Sequence, residues 1–386
     1  MPALCYGIFW LSLAVLAYTF MGYPLLMRLL ARNREGVNIP EATGYPRGLS
    51  GESLTIVLCA YNEASRITAR IENLLVCDYP REMLNVLVVS DGSTDDTARI
   101  ATAVDPTRVT VLELAERGGK AAALNTAFAV CKTSLVVLAD TRQRFAPDTI
   151  ARLVAHFSDP RVGAVSGTLD IATAASATGS GIDAYWRLER RLRADEASLD
   201  SCIGCTGAVY ALRRKLFTPL PEDTVLDDVV IPMQIAESGY RVLFDPAASA
   251  YDPQPLEPAA EKVRKSRTLA GNFQMLFRYP GWLTPFGHRL WWQLISHKYL
   301  RLAAPLFLLA ASLANLTLAR QPFYASTLAV QAALYLFAFI GLATPPLRTK
   351  VFTIPAGFVF LNVMTIRAFW LYLSRPQIHH WSTPRS

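Results

Sequence analysis

Residues 4–27 contain no charged side chain, and that run is long enough to cross a bilayer. Three more apolar runs of membrane-span length follow much later, at 301–319, 323–343 and 351–373. A segment in lipid must satisfy its own backbone N–H and C=O groups, so each run is expected as a helix. Charged residues are only 18% of the 386 and cluster between the first run and the last three. The expected fold is a polar body held among membrane helices.

A cleaved signal peptide would carry basic residues ahead of its apolar run. Here Arg28, Arg32 and Arg34 come after it, which by the positive-inside rule puts the following domain in the cytosol. The chain divides into an anchor helix (1–32), a polar linker (33–52), an α/β domain (53–275), amphipathic interface helices (276–300), membrane helices (301–373) and a tail (374–386). The interface stretch mixes Trp282, Trp291 and Trp292 with Arg278, Arg289, Lys298 and Arg301, a composition suited to lipid headgroups. Three closing spans would place the tail outside, and Arg375 and Arg385 run against that count.

The central domain repeats strand then helix. "LTIVLCAY" (54–61), "LNVLVVSD" (84–91), "RVTVLEL" (108–114) and "LVVLAD" (135–140) read as buried strands. Residues 64–75, 94–104 and 119–130 read as helices, with Thr94 as the N-cap of the second. This alternation predicts an α/β fold with a mostly parallel sheet. Ligands then bind beyond the carboxyl ends of the strands.

Those ends are polar. Asn62 and Glu63 follow the first strand, either as a helix cap or as ligand contacts. Asp91 closes the second, where it could accept from a base N–H or a ribose hydroxyl. Asp140 closes the fourth, and Arg142 is expected on the same face two residues on. They are either a surface ion pair or partners on one ligand, the carboxylate on Mg²⁺ and the guanidinium on a diphosphate. Lys120 follows a Gly pair at a helix start, a place that favours phosphate. The net charge of +7 also points to anionic partners, nucleotide phosphates or acidic lipid, and no nucleic-acid module is present. Of six cysteines only Cys202 and Cys205 have a CxxC spacing, without the second pair that zinc requires.

The motifs "CAYNEAS", "VVSDGSTDDT", "GGKAAALN", "VVLADTRQRF", "GCTGAVYALRR" and "LDDVVIP" together resemble family-2 glycosyltransferases of the GT-A fold over roughly residues 53–275. With the flanking spans, the chain is similar to bacterial membrane synthases of the poly-β-1,6-N-acetylglucosamine, hyaluronan and cellulose type. The resemblance implies a GT-A nucleotide-sugar-binding domain in a multi-pass protein of the inner membrane. It implies that Asn62, Glu63 and Asp91 hold the uracil and ribose of a UDP-sugar, and that Lys120 and Arg142 meet its diphosphate. Asp140 would hold Mg²⁺ or Mn²⁺, with Arg142 standing where many relatives place a second ligand. Asp228 falls on the catalytic base, which must take the acceptor's proton as it attacks the anomeric carbon with inversion, and Asp227 on the acid before it. Gly204 and Gly207 would let an acceptor sugar approach the backbone, or else permit close strand packing.

Processive relatives carry QxxRW near the membrane. "RKSRT" stands there, with Arg264 for Gln, Arg267 kept on the diphosphate, and Thr268 for Trp. The expected product is a growing exopolysaccharide, or a single sugar on a lipid-linked acceptor, in contact with the bilayer and with an accessory export subunit as a further partner. A non-catalytic nucleotide-sugar-binding subunit is the rival from another class. A Rossmann dehydrogenase is disfavoured, because no GxGxxG follows the first strand.

Overall fold

The computed structural model describes residues 2–32, 34, 53–171, 177–252, 258–344 and 349–374. The linker at 35–52 and the tail from 375 lie outside the described residues. The rest falls into two compact units. One is built mainly from 53–171 and 193–252, the other from 2–32, 177–192, 258–344 and 349–374.

The first unit is an α/β domain around an eight-stranded sheet of order β3-β2-β1-β4-β7-β6-β8-β5. The strands are β1 (Leu54–Ala60), β2 (Leu84–Asp91), β3 (Val109–Leu114), β4 (Leu135–Ala139), β5 (Arg144–Phe145), β6 (Val162–Ile171), β7 (Val209–Arg213) and β8 (Arg241–Asp252). Strands β3, β2, β1 and β4 run parallel, β7 is antiparallel to both β4 and β6, and β8 is parallel to β6. The sheet is thus mixed and mostly parallel. All seven residues of β1 and all five of β4 are buried, as a strand covered on both faces requires. Edge strand β3 buries only Val109, which suits its single neighbour.

The helices start later than the sequence pattern suggests. The first begins at Ile67 and the second at Thr97. Thr94 is not the N-cap: Asp96 holds that place, and Thr94 pairs instead with Asn62 across the neighbouring loop. Five of the six cysteines are buried, and all are free thiols.

Among the described residues, the second unit contains four helices long and apolar enough to cross a membrane: Ala3–Ala31, Trp291–Leu318, Pro322–Ala343 and Lys350–Ser374. Their surfaces expose Leu11, Met21, Leu306, Phe339 and Trp370, side chains that favour lipid over water. The second span begins at Trp291, so much of the stretch read as interface helix continues into it. Two indoles inside the unit are paired: Trp10 Nε1 donates to Tyr324 OH at 3.2 Å and Trp292 Nε1 to Tyr18 OH at 2.9 Å. Glu189 accepts from His297 at 2.6 Å and from Arg301 at 2.7 Å. Burial pushes the Glu189 carboxyl up, but His297 and Arg301 outweigh it and hold it well below the usual range.

Candidate active site

The loops after β1, β2 and β4 meet beyond the carboxyl ends of the parallel strands. Asn62 has φ 54°, a left-handed conformation that asparagine tolerates. Its side chain donates to Thr94 Oγ1 at 3.2 Å and accepts from Thr94 N at 2.8 Å. The Glu63 N–H donates to Thr97 Oγ1 at 2.8 Å, and its carboxylate pairs with Arg66 at 3.1 Å. Burial raises the Glu63 carboxyl and Arg66 only partly offsets that. Both expected nucleotide contacts therefore staple the first loop to the second.

Asp91 is fully buried, and its two oxygens accept from Gly118 N at 2.8 Å and Gly119 N at 2.9 Å. The end of β2 is thus tied to the Gly pair that starts helix Lys120–Val130. Gly92 permits this approach: at φ +64° a Cβ there would stand 2.6 Å from Arg117 N.

Lys120 is the first residue of that helix, where the dipole opposes a cation. Carboxylates compensate. Its Nζ lies 3.1 Å from Asp140 Oδ1 and 3.3 Å from Asp227 Oδ2. The second contact is coulombic, since Asp227 Oδ2 makes no hydrogen bond. Burial alone would lower the Lys120 pKa, but Asp140 and Asp227, with a smaller part from Asp228, hold it well above the ordinary lysine value. Cys59 lies beneath, and burial drives its thiol far up, so it is no nucleophile.

Asp227 and Asp228 open helix Asp227–Glu237, where the helix dipole favours acids. Asp228 rests on the loop 204–207. Cys205 N donates to Asp228 O at 2.7 Å. A Cβ at Gly207 would stand 3.1 Å from Asp228 Oδ2, so the space this glycine leaves is filled by the Asp228 carboxylate. Gly204 likewise faces Val229 and the Asp228 carbonyl. Both glycines, expected beneath an acceptor sugar, pack against Asp228. Arg193 braces the loop by donating to Gly204 O at 2.8 Å and Thr206 Oγ1 at 3.0 Å.

Arg142 departs from expectation. Strand β4 ends at Ala139 and residues 141–142 bend, so strand alternation no longer aligns Asp140 with Arg142. Asp140 pairs with Lys120, whereas Arg142 forks onto Asp252 at the end of β8, with contacts of 3.0 and 2.8 Å. Arg264 and Arg267 lie on helix Pro258–Arg278 in the membrane unit, half-buried. Among the described residues, no group of three or more His, Cys, Asp or Glu forms a ready metal site.

Three groups escaped the sequence reading. Asp252 has no motif around it. Arg117 lies over the Tyr61 ring at 3.8 Å, and its Nε and Nη2 are buried without a hydrogen-bond partner. Their positions beside the quoted "NEAS" and "GGK" motifs were the available signal. Tyr210, on β7, buries a hydroxyl without a hydrogen-bond partner. Burial first, then Asp227, hold that phenol well above its usual range.

Residues 55–218 match the model of Glycosyl transferase family 2. Among curated proteins, the chain is 25% identical over 244 residues to the poly-beta-1,6-N-acetyl-D-glucosamine synthase of Staphylococcus aureus, covering 59% of this chain and 56% of that one. It is 28% identical over 155 residues to the beta-monoglucosyldiacylglycerol synthase of a Nostoc species, covering 39% of this chain and 33% of that one. The chain thus spans about half the length, or less, of these curated relatives. Among solved structures, a mannosyltransferase of Pyrobaculum calidifontis in complex with GDP-Man and Mn²⁺ superposes with a TM-score of 0.70 at 27% identity, over 95% of this chain and 99% of that one.

Proposed function

We propose, from the premise that residues 55–218 are a family-2 glycosyltransferase domain of GT-A fold and the chain a glycosyltransferase, that it transfers a sugar with inversion from a nucleoside-diphosphate donor to an acceptor at the bilayer. One observation carries this reading: two carboxylates, Asp140 and Asp227, lie within 3.3 Å of one half-buried ammonium, Lys120, with Asp228 next to Asp227 at the helix start. Such a set can bind an anion through the lysine, a cation through the partly exposed acid, and a proton through the remaining one.

Asp228 is the base. Its carboxylate, fixed against Gly207, takes the acceptor hydroxyl's proton as that oxygen attacks the anomeric carbon. Lys120 meets the diphosphate that departs. Asp140 would hold a divalent cation, for its side chain is 29% exposed while Asp227 is 8% exposed. One carboxylate fits Mg²⁺ or Mn²⁺ because these ions take much of their coordination from substrate phosphates. When bound, the ion neutralises charge on the leaving diphosphate. Asp91 and Asn62 hold the nucleotide loops in place, and Tyr61 with Arg117 forms a flat wall beside them.

The four long apolar helices among the described residues support a multi-pass enzyme, and Arg28 with Arg32 supports a cytoplasmic catalytic unit by the positive-inside rule. Two donors and two acceptors compete. The near full-length likeness to a GDP-Man-bound mannosyltransferase favours a GDP-linked donor and, with Thr268 in place of the Trp, a single sugar on a lipid-linked acceptor. The polysaccharide-synthase relatives favour a UDP-linked donor and a growing exopolysaccharide.

The test is turnover by the full chain in nanodiscs with GDP-mannose and a panel of labelled UDP-sugars, with and without Mn²⁺ or Mg²⁺, sizing the product. A metal-dependent product lost in Asp228→Asn supports the reading. Binding without turnover for every donor and acceptor overturns it in favour of a non-catalytic subunit.

A further inference from the structure

Arg70 is fully buried on helix Ile67–Leu75, and no carboxylate pairs with it among the described residues. Burial, then Arg144, lowers its pKa to about 9. A buried cation without an acid partner is costly, and an apolar chain of the same length would be cheaper at this place. What methionine could not do is donate. Arg70 Nε donates to the Asp140 carbonyl at 3.0 Å, and Nη1 donates to Asn73 Oδ1 at 2.7 Å.

Asn73 lies one turn on, on the same helix face. Its Nδ2 donates to Phe145 O at 3.1 Å, and its Oδ1 accepts from Phe145 N at 2.9 Å. The Arg70 guanidinium also covers the Phe145 ring at 4.3 Å. One helix turn therefore grips both ends of the segment 140–145, where the chain leaves β4 and enters β5.

We infer that Arg70 and Asn73 are positioning residues that set where the Asp140 carboxylate stands, by clamping the two ends of that segment. The inference rests on the reading of Asp140 as the metal-holding acid. Neither residue touches a ligand; both act through the backbone of Asp140 and Phe145.

The experiment uses the full chain in phosphatidylethanolamine/phosphatidylglycerol nanodiscs and compares wild type with Arg70→Met, Arg70→Lys and Asn73→Ala. Hydrogen–deuterium exchange reads the segment 140–145, and Mn²⁺ electron paramagnetic resonance with GDP or UDP reads the carboxylate. Losing a clamp hydrogen bond should speed exchange of the segment about tenfold, leave β1 unchanged, and weaken Mn²⁺ uptake about tenfold. Arg70→Lys, which keeps a donor, should recover part of both. A lower melting temperature with unchanged exchange and unchanged Mn²⁺ affinity would overturn the inference and leave Arg70 a packing residue. If Arg70→Met does not fold, Asn73→Ala, which keeps the buried cation, decides by the same readouts. If wild type takes up no Mn²⁺ with either nucleotide, the metal reading of Asp140 falls, and exchange alone decides the clamp.

Discussion

Lys120 and Asp140 are ion-paired at 3.1 Å, so the cation assigned to the diphosphate and the acid assigned to the metal hold each other. An ion that takes Asp140 Oδ1 competes with an ammonium, and a diphosphate relieves that competition by drawing Lys120 to itself. Lys120→Met should therefore bind Mn²⁺ more tightly in the absence of nucleotide, by several-fold. The same variant should bind GDP or UDP about tenfold more weakly. Paramagnetic resonance of Mn²⁺ and nucleotide titration check the two halves, and a parallel loss of both would exclude the exchange.

Asp228→Asn keeps the shape of the side chain and removes its basicity. Turnover should fall by about 10²–10⁴-fold, with donor affinity and melting temperature close to wild type. Equal loss of donor binding would mean that Asp228 serves the nucleotide instead.

Gly207→Ala tests the packing beneath the base. The new Cβ would lie 3.1 Å from Asp228 Oδ2, so the carboxylate must shift by a few tenths of an ångström. A misplaced base costs rate more than stability, and turnover should drop about tenfold with little change in melting temperature. Full activity would show that the carboxylate has room to move.

A pH effect on stability follows from Asp245, which accepts from His156 Nε2 at 2.9 Å and from Ala247 N at 2.8 Å. Burial pushes its carboxyl up, but the hydrogen bond from His156, followed by the one from the Ala247 amide, brings it below the ordinary value. A depressed carboxyl stabilises the fold above its unfolded pKa and loses that contribution as pH falls through the folded one. The melting temperature should thus decline below about pH 4. Asp245→Asn should be less stable at neutral pH and less sensitive to acid, as melting curves across that range would report.

The sequence made the parallel half of the sheet legible because β1 and β4 are buried on both faces and read as unbroken apolar runs. Strands β5 to β8 were not drawn from it. Strand β5 has two residues, and β8 runs twelve with exposed positions inside it, so neither carries a clear period. At the site, Lys120 stands within 3.3 Å of both Asp140 and Asp227, three residues singled out from separate motifs. The same-face expectation for Arg142 came from extending strand geometry three residues past Ala139, where the chain already turns. Its true partner, Asp252, is 110 residues away, and no local pattern reports a contact at that separation.

That separation also bears on how the chain is made. Strands β1 to β4 are complete by residue 139 and can pair as soon as they leave the ribosome. Strand β5 pairs only with β8, which ends at Asp252. At ordinary rates of synthesis the intervening 110 residues take roughly 5–20 s. Through that interval the first span can already be seated in lipid, while segment 140–145 has its Arg70, Asn73 and Lys120 contacts but not those from β8. A nascent chain halted before residue 252 would present a finished parallel half-sheet and an open loop, an assembly intermediate built into the order of the strands.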